Sequence, residues 1–131
     1  MSDWLPQLML PRRAVAGYNV YFLVREGRCP VGAFVDSLKR GAVQTHGKVV
    51  NALRKVATDG LPQNEEQCKR HEDDLWYLKR GQPRLFFIIR GRNLYFLSAY
   101  PKKSARLDPR EVKRARRIRD EYLKSLQEGM Q

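Results

Sequence analysis

The sequence predicts one α+β domain with a mostly antiparallel sheet and the element order β-α-α-β-β-β-α. Two observations favour this class. Strand-like runs of β-branched and aromatic residues follow one another in the second half of the chain with only short turns between them. Segments with helical periodicity lie before and after these runs rather than between them, so helices and strands are segregated along the chain. The length of 131 residues suits a single domain.

The first half of the chain predicts one strand followed by a helical hairpin. Residues 18–24, "YNVYFLV", are β-branched and aromatic throughout, which is typical of a strand. A short amphipathic helix should follow Pro30 and end at Gly41. Apolar residues then recur with helical period over residues 43–57, and Gly60 suits the position after a helix.

The segment after the hairpin predicts a loop and then three strands. Residues 61–74 are polar and lack a period, so they are expected to form a loop. Strands are predicted at residues 75–79, 84–90 and 93–100, and the second of them is apolar on both faces, as in a central strand covered on each side. Only Gly91 and Arg92 separate the last two strands, which predicts a tight hairpin.

A basic helix is predicted to close the chain. Asp108 is a suitable N-cap, Pro109 suits the first helical position, and Glu111 follows at the third. The apolar stripe is narrow and surrounded by lysine and arginine. We therefore expect the sheet to pack on the N-terminal helical hairpin and on this C-terminal helix.

The positive charge of the chain predicts a polyanionic binding partner. There are 26 Lys and Arg against 14 Asp and Glu, a formal net charge of +12. Such an excess favours nucleic acid as the partner, with an acidic protein or a merely solvated basic surface as alternatives. The two cysteines lack metal-ligand spacing and fit a reducing cytosol, and no apolar run has the length of a membrane helix. A cytoplasmic protein without a membrane partner is the expectation.

The sequence gives little support for metal or cofactor chemistry. Glu72, Asp73 and Asp74 fall in the predicted loop, where solvent exposure is expected, and the acidic residues do not otherwise converge. No glycine-rich phosphate loop precedes a helix, and no Ser/His/Asp arrangement has informative spacing. We expect no metal and no cofactor.

Four motifs in a fixed order carry a family resemblance: "DLWYLK", "PRLFFII", "YFLSAYPKKS" and "DPREVKRA". Together they resemble the RelE/HigB superfamily of toxins from type II toxin–antitoxin modules, most closely its phage-derived HigB-like branch. The resemblance covers about residues 18–126, so residues 18–131 are assigned to a toxin-like domain and residues 1–17 to an N-terminal arm outside it. Tyr77 departs from the branch, which often has a glutamate there.

The resemblance implies a RelE/ParE-like fold and an endoribonuclease that cleaves mRNA, usually on the ribosome, by attack of the ribose 2′-hydroxyl on the neighbouring phosphate. It also implies inhibition by a cognate antitoxin, expected to be of the helix-turn-helix type. Such a reaction needs a base, an acid and fixed positive charge at the phosphate. Two alternatives remain open: a ParE-like toxin that inhibits DNA gyrase, and a non-catalytic nucleic acid-binding protein of the same fold.

Within this framework five residues at strand ends are the first candidates. Arg84 can contact a phosphate in a bidentate manner and suits a catalytic electrostatic role. Lys102 and Lys103 are adjacent, and repulsion between their ammonium groups favours the neutral form of one, as a base requires; Lys102 is assigned to catalysis and Lys103 to phosphate contact. Lys79 and Tyr77 should share one face of their strand, as a catalytic and an RNA-binding residue.

His71 is the fourth catalytic candidate, because histidine titrates near neutral pH. Further basic residues near the predicted strand ends complete the nucleic acid-binding set; they are Arg80, Arg90, Arg92 and Arg106. The interpretation depends on the convergence of Arg84 and Lys102 on one open face of the sheet.

Overall fold

The computed structural model describes residues 3–129 and shows a six-stranded mixed sheet with three helices. The elements in chain order are β1 (Leu5–Leu10), β2 (Asn19–Val24), α1 (Pro30–Gly41), α2 (Val43–Asp59), β3 (Cys68–Glu72), β4 (Leu75–Lys79), β5 (Pro83–Arg90), β6 (Asn93–Pro101) and α3 (Pro109–Gly129). The strand order is β1-β2-β6-β5-β4-β3. Neighbouring strands are antiparallel except for the parallel pair β2–β6.

Helices cover both faces of the sheet. The face toward α1 and α2 holds one core cluster, in which Phe87 and Phe96 meet Val35 and Val56 of the helices. The opposite face packs against the apolar stripe of α3 and includes Phe86, next to Phe87 on the strand. Residues 85–88 are each no more than 1% exposed, because alternation sends their side chains into two different cores.

Local signals in the sequence account for the element ends. Gly91 has a φ of 63°, and the residues that flank the β5–β6 turn, Arg90 and Asn93, pair with each other. At the start of α3, Asp108 caps the helix: its Oδ1 accepts a hydrogen bond of 2.9 Å from the backbone N–H of Arg110. The predicted tight hairpin and the predicted N-cap are both confirmed.

Strand β1 adds an edge to the sheet that the periodicity did not predict. Leu5 pairs with Val24 and Leu10 pairs with Val20 of β2, with a bulge between them. The preceding Trp4 is only 6% exposed and belongs to the α3-side core. Residues 5–10 of the N-terminal arm are therefore part of the sheet.

Strand β3 corrects the prediction of a loop over residues 61–74. It pairs antiparallel with β4, and Cys68 is the one buried residue among its five. An edge strand of this kind gains its backbone hydrogen bonds from one neighbour while its side chains stay exposed, so alternating hydrophobicity is absent from its sequence.

The predicted α+β class is confirmed, and the four predicted strands and three predicted helices are present. The order β-α-α-β-β-β-α lacks β1 and β3, so the observed order is β-β-α-α-β-β-β-β-α. Within residues 3–129, none of the helices combines the length and apolar character that crossing a membrane requires.

Candidate nucleic-acid interface

Two of the predicted catalytic residues, Lys79 and Arg84, lie side by side at one end of the sheet, on the face that α3 covers. Lys79 pairs with Arg84, and Arg84 pairs with Tyr100, so three neighbouring strands place these residues side by side. Residues directly opposite each other on neighbouring strands project to the same face. Tyr100 belongs to the α3-side core, which identifies that face.

Helix α3 begins beside this row of residues. The backbone N–H of Asp108 donates a hydrogen bond of 3.0 Å to the hydroxyl of Tyr100. The first α3 residue in the core is Val112, so the body of the helix lies over the sheet beyond the row. Lys79 and Arg84 consequently remain half-buried rather than covered.

The turn between β4 and β5 holds the guanidinium of Arg84 in place. Its Nη1 donates to the carbonyl oxygens of Gly81, Gln82 and Pro83, at 2.7, 3.2 and 3.0 Å. Its Nε is buried without a hydrogen-bond partner within residues 3–129. One edge of the guanidinium is thereby fixed by the protein, and Nη2, which makes no hydrogen bond within the same residues, is the donor left for a ligand.

Several cations surround the ammonium group of Lys79. Its pKa lies below the usual lysine value, first because of partial burial and then because Arg84, Lys69 and Lys102 lie near it, while Glu65 opposes the shift. The Nζ atom stands 5.9 Å from the centroid of the Tyr77 ring. This environment favours the neutral form of the Lys79 amine.

Tyr77 shares the face of Lys79, as predicted, but its ring is part of the core. It is 6% exposed and packs edge-on against Phe86, with ring centroids 5.7 Å apart. Burial raises the pKa of the hydroxyl, and the nearby Arg84 partly opposes this shift. A ring buried in this way cannot stack on a base, so a role in RNA binding is confined to the hydroxyl group.

His71 lies on β3 beside the same tyrosine. The centroids of the His71 and Tyr77 rings are 6.5 Å apart, and the histidine side chain is 29% exposed. Its Nε2 lies 3.8 Å from Oε1 of Glu72. That carboxylate also accepts a hydrogen bond from Arg116 of α3. His71 therefore lies between this ion pair and Tyr77, at the rim of the cluster that contains Lys79 and Arg84.

Lys102 follows the end of β6 and is tied to the turn that holds Arg84. Its backbone N–H donates a hydrogen bond of 2.8 Å to the carbonyl oxygen of Gln82. Lys103 and Arg106 are exposed in the segment that leads to α3. Lys103 and Arg106 extend the basic surface away from the sheet.

Three of the predicted nucleic acid-binding arginines lie elsewhere. Arg80 borders a cavity on the α2 side of the sheet. Arg90 lies at the far end of β5, near Tyr122. Arg92 stacks over Tyr18 at 4.0 Å from the ring centroid and donates to backbone carbonyls of residues 15–17, so these contacts connect the β5–β6 turn to the segment before β2.

Sequence reasoning missed three members of the group. Lys69 pairs with Tyr77 across β3 and β4, and it went unnoticed because β3 was interpreted as loop. Glu65 acts on both Lys79 and Tyr77 as the nearby carboxylate. Tyr100 is the last residue of the motif "YFLSAY". It lies two residues before Lys102, so strand alternation could have predicted that the two side chains project to the same face of the sheet.

Among the acidic residues 72–74, Glu72 alone departs from the predicted solvent exposure. Asp73 and Asp74 are exposed, as predicted, although Arg119 of α3 lies 3.0 Å from the Asp74 carboxylate. Glu72 is half-buried instead, and Arg119 lies 3.4 Å from its carboxylate. Arg116 adds a hydrogen bond of 2.6 Å to Glu72. Within residues 3–129 no group of three or more His, Cys, Asp or Glu side chains could hold a metal ion.

No family model matches the chain, and none of the curated proteins is significantly similar to it. The resemblance to the RelE/HigB superfamily therefore stays a prediction. The geometry itself defines a basic, partly open strand-end cluster of Lys69, Lys79, Arg84 and Lys102, which we call the strand-end site. Such a cluster can bind an anion and provide a base.

Proposed function

We propose that the protein is a metal-independent endoribonuclease of the RelE/HigB type that acts as the toxin of a toxin–antitoxin module. The observation that carries the proposal is the convergence of Lys79, Arg84 and Lys102 on one face of the sheet, beside the first turn of α3. The α+β architecture, with helices on both faces, is compatible with a RelE/ParE-like fold.

The chemistry assigned to the site is transfer within the RNA strand. The 2′-oxygen forms a bond to phosphorus, the bond from phosphorus to the 5′-oxygen breaks, and the products are a cyclic phosphate and a free 5′-hydroxyl. A base removes the 2′ proton and an acid supplies a proton to the 5′-oxygen. Fixed cations stabilise the charge that develops on the phosphate.

Lys79 is the best candidate for the base, because its lowered pKa brings the neutral amine closer to working pH. Arg84, fixed by three carbonyl groups, takes the electrostatic role, since a fixed donor needs little reorganisation when charge develops. Lys102 and the exposed Lys103 provide phosphate contacts, and His71 at the rim is assigned to proton transfer with the leaving oxygen.

The test is cleavage of ribosome-bound mRNA by the purified protein in the presence of EDTA. Wild-type protein should cut the message, and Arg84→Ala combined with Lys102→Ala should reduce the rate at least a hundredfold, as expected when transition-state charge stabilisation is lost. Arg40→Ala combined with Lys48→Ala is the matched control, because both residues are exposed on the helical hairpin and the two substitutions remove the same charge. Equal rates for the two double variants would refute the strand-end site.

Two outcomes would favour the alternative functions. Inhibition of DNA gyrase without RNA cleavage would favour a ParE-like toxin. Salt-sensitive binding of RNA without turnover would favour a non-catalytic binding protein; with ~6 phosphates of a single strand contacted, affinity would fall about three-hundredfold for a fourfold rise in salt. The proposed partners are mRNA, the ribosome and a helix-turn-helix antitoxin, and the proposed location is the cytoplasm.

A further inference from the structure

A second basic region lies on α3, away from the strand-end site. A cavity of about 540 Å³ opens between the β2–α1 turn and one flank of α3. Four arginines border it, two from the turn and two from the helix: Arg25, Arg28, Arg114 and Arg117. Trp4 lies in its wall, and Glu26 is the one carboxylate among the lining residues.

Two of the four arginines are held in place by the protein. Arg25 lies 4.4 Å from the centroid of the Trp4 ring and forms an ion pair of 3.4 Å with Glu121. Arg114 lies 3.9 Å from Glu111, one turn earlier on α3. These contacts position the two guanidinium groups at the wall of the cavity.

The other two arginines have charges that the protein does not neutralise. Within residues 3–129, no carboxylate lies within 4.0 Å of the guanidinium of Arg28 or Arg117. Both side chains are exposed, and both border the same cavity. Like charges brought together repel each other, and a bound anion would relieve this repulsion.

We propose that this cavity is a phosphate-binding site and that it takes a phosphate group of the RNA strand cut at the strand-end site. Four guanidinium groups around one concave surface match the forked hydrogen bonding that phosphate oxygens accept. Helix α1 begins at Pro30 in the wall of the cavity and has no acidic residue in its first turn, so its dipole adds to the same potential. The arginines provide the specificity.

The assignment of the ligand as RNA rests on the proposed function, whereas the affinity for phosphate does not. The cavity and the strand-end site share no lining residue. Both adjoin the first half of α3, because Asp108 contacts Tyr100 and Arg114 borders the cavity. An RNA strand that leaves the strand-end site along α3 would meet the cavity.

Trp4 provides a direct reporter of anion binding. Its ring lies against Arg25, so an anion bound there changes the surroundings of the indole. The chain has two tryptophans, and Trp76→Phe leaves Trp4 as the single one. Inorganic pyrophosphate is titrated into this variant and into sodium chloride controls of equal ionic strength. A saturable change in Trp4 fluorescence with pyrophosphate alone is expected.

Two charge-matched double variants in the Trp76→Phe background test which arginines are responsible. Arg28→Gln with Arg117→Gln removes the two unpaired guanidinium groups and should weaken pyrophosphate binding about tenfold for each group removed. Arg40→Gln with Arg54→Gln removes the same charge from the helical hairpin and should leave the affinity unchanged. All four side chains are exposed, so the variants should fold, and circular dichroism checks this.

A second titration identifies the source of the phosphate. A labelled single-stranded RNA of about ten nucleotides should bind more weakly to the Arg28/Arg117 variant, with a log–log salt slope about 1.4 units shallower, or roughly 0.7 for each lost contact. Loss of pyrophosphate binding with RNA affinity unchanged would overturn the RNA assignment in favour of a free phosphate ester. Fluorescence changes that are equal in both double variants, or absent in the parent, would overturn the site itself.

Neither titration requires cleavage, so failure of the proposed nuclease activity is distinguishable from failure of this site. A protein that binds pyrophosphate and RNA through Arg28 and Arg117 but cuts nothing would support the cavity and refute the nuclease. A protein that cuts RNA with unchanged salt dependence in the Arg28/Arg117 variant would support the nuclease and refute the assignment of RNA to the cavity.

Discussion

Replacement of Gly17 by alanine tests how firmly the N-terminal segment is attached to the rest of the fold. A Cβ atom at this position would lie 1.8 Å from the carbonyl oxygen of Ala57 and 2.5 Å from its carbonyl carbon. Both contacts are with backbone atoms in the last turn of α2, which cannot rotate away as a side chain would. Either the segment or the helix end must therefore move.

The same contact region contains the hydrogen bonds that such a movement would disturb. The backbone N–H groups of Arg13 and Tyr18 donate to the carbonyl oxygens of Ala57 and Val56, at 2.8 and 3.1 Å. Forcing extra volume into a close-packed position costs about 1–3 kcal/mol. Weakening one of these bonds adds about 1 kcal/mol. We expect Gly17→Ala to lower the free energy of unfolding by roughly 2–4 kcal/mol on these grounds.

Gly47→Ala is the matched control, because it is the same chemical change at a helical position with no atom within 4 Å. Alanine there should raise the free energy of unfolding by about 0.5–1 kcal/mol through its higher helix propensity. Urea unfolding followed by far-ultraviolet circular dichroism measures both variants. A Gly17→Ala protein within about 0.5 kcal/mol of wild type, the usual range for surface substitutions, would show that the close approach to α2 is not real.

Three further predictions concern titratable groups. Lys102→Gln should raise the pKa of Lys79, because it removes a nearby positive charge, and ¹³C NMR of the lysine Cε measures this directly. Arginines of α3 lower the pKa of Glu72. In urea titrations Glu72→Gln should therefore have a lower free energy of unfolding than wild type at neutral pH, and this difference should shrink as the pH falls below 4.5, the usual pKa of the group. Burial raises the pKa of Cys68 to about 11, so iodoacetamide should modify it more slowly than the half-buried Cys29.

The sequence predicted most of the fold because its strongest signals are local. Strand β5 is apolar on both faces, and Asp108 caps α3, as their residue types indicate. The edge strands were missed for a physical reason: β1 contains Pro6 and exposes Leu5 at 66%, and β3 buries Cys68 alone. Edge strands are specified by pairing with a neighbour, and that neighbour lies far away in the sequence.

The candidate site was predictable to the extent that strand alternation governs it. Counting by two from Tyr77 placed Lys79 on the same face, and the register then brings Arg84 beside it. Contacts between distant segments escaped prediction. Arg92 binds the carbonyls of residues 15–17, and no pattern in its own neighbourhood indicates this partner.

The distribution of acids explains why the charge of α3 is one-sided. Glu72 and Asp74 neutralise Arg119 on the flank that faces the β3–β4 turn. On the other flank Arg117 faces the β2–α1 turn, which contributes Arg28 to the same cavity. Solubility alone requires only that the basic side chains of α3 are exposed to solvent. It does not require that arginines of α3 and arginines of the β2–α1 turn border the same cavity. The arrangement costs repulsion in the folded state, and an anionic ligand held by both elements is what would offset that cost.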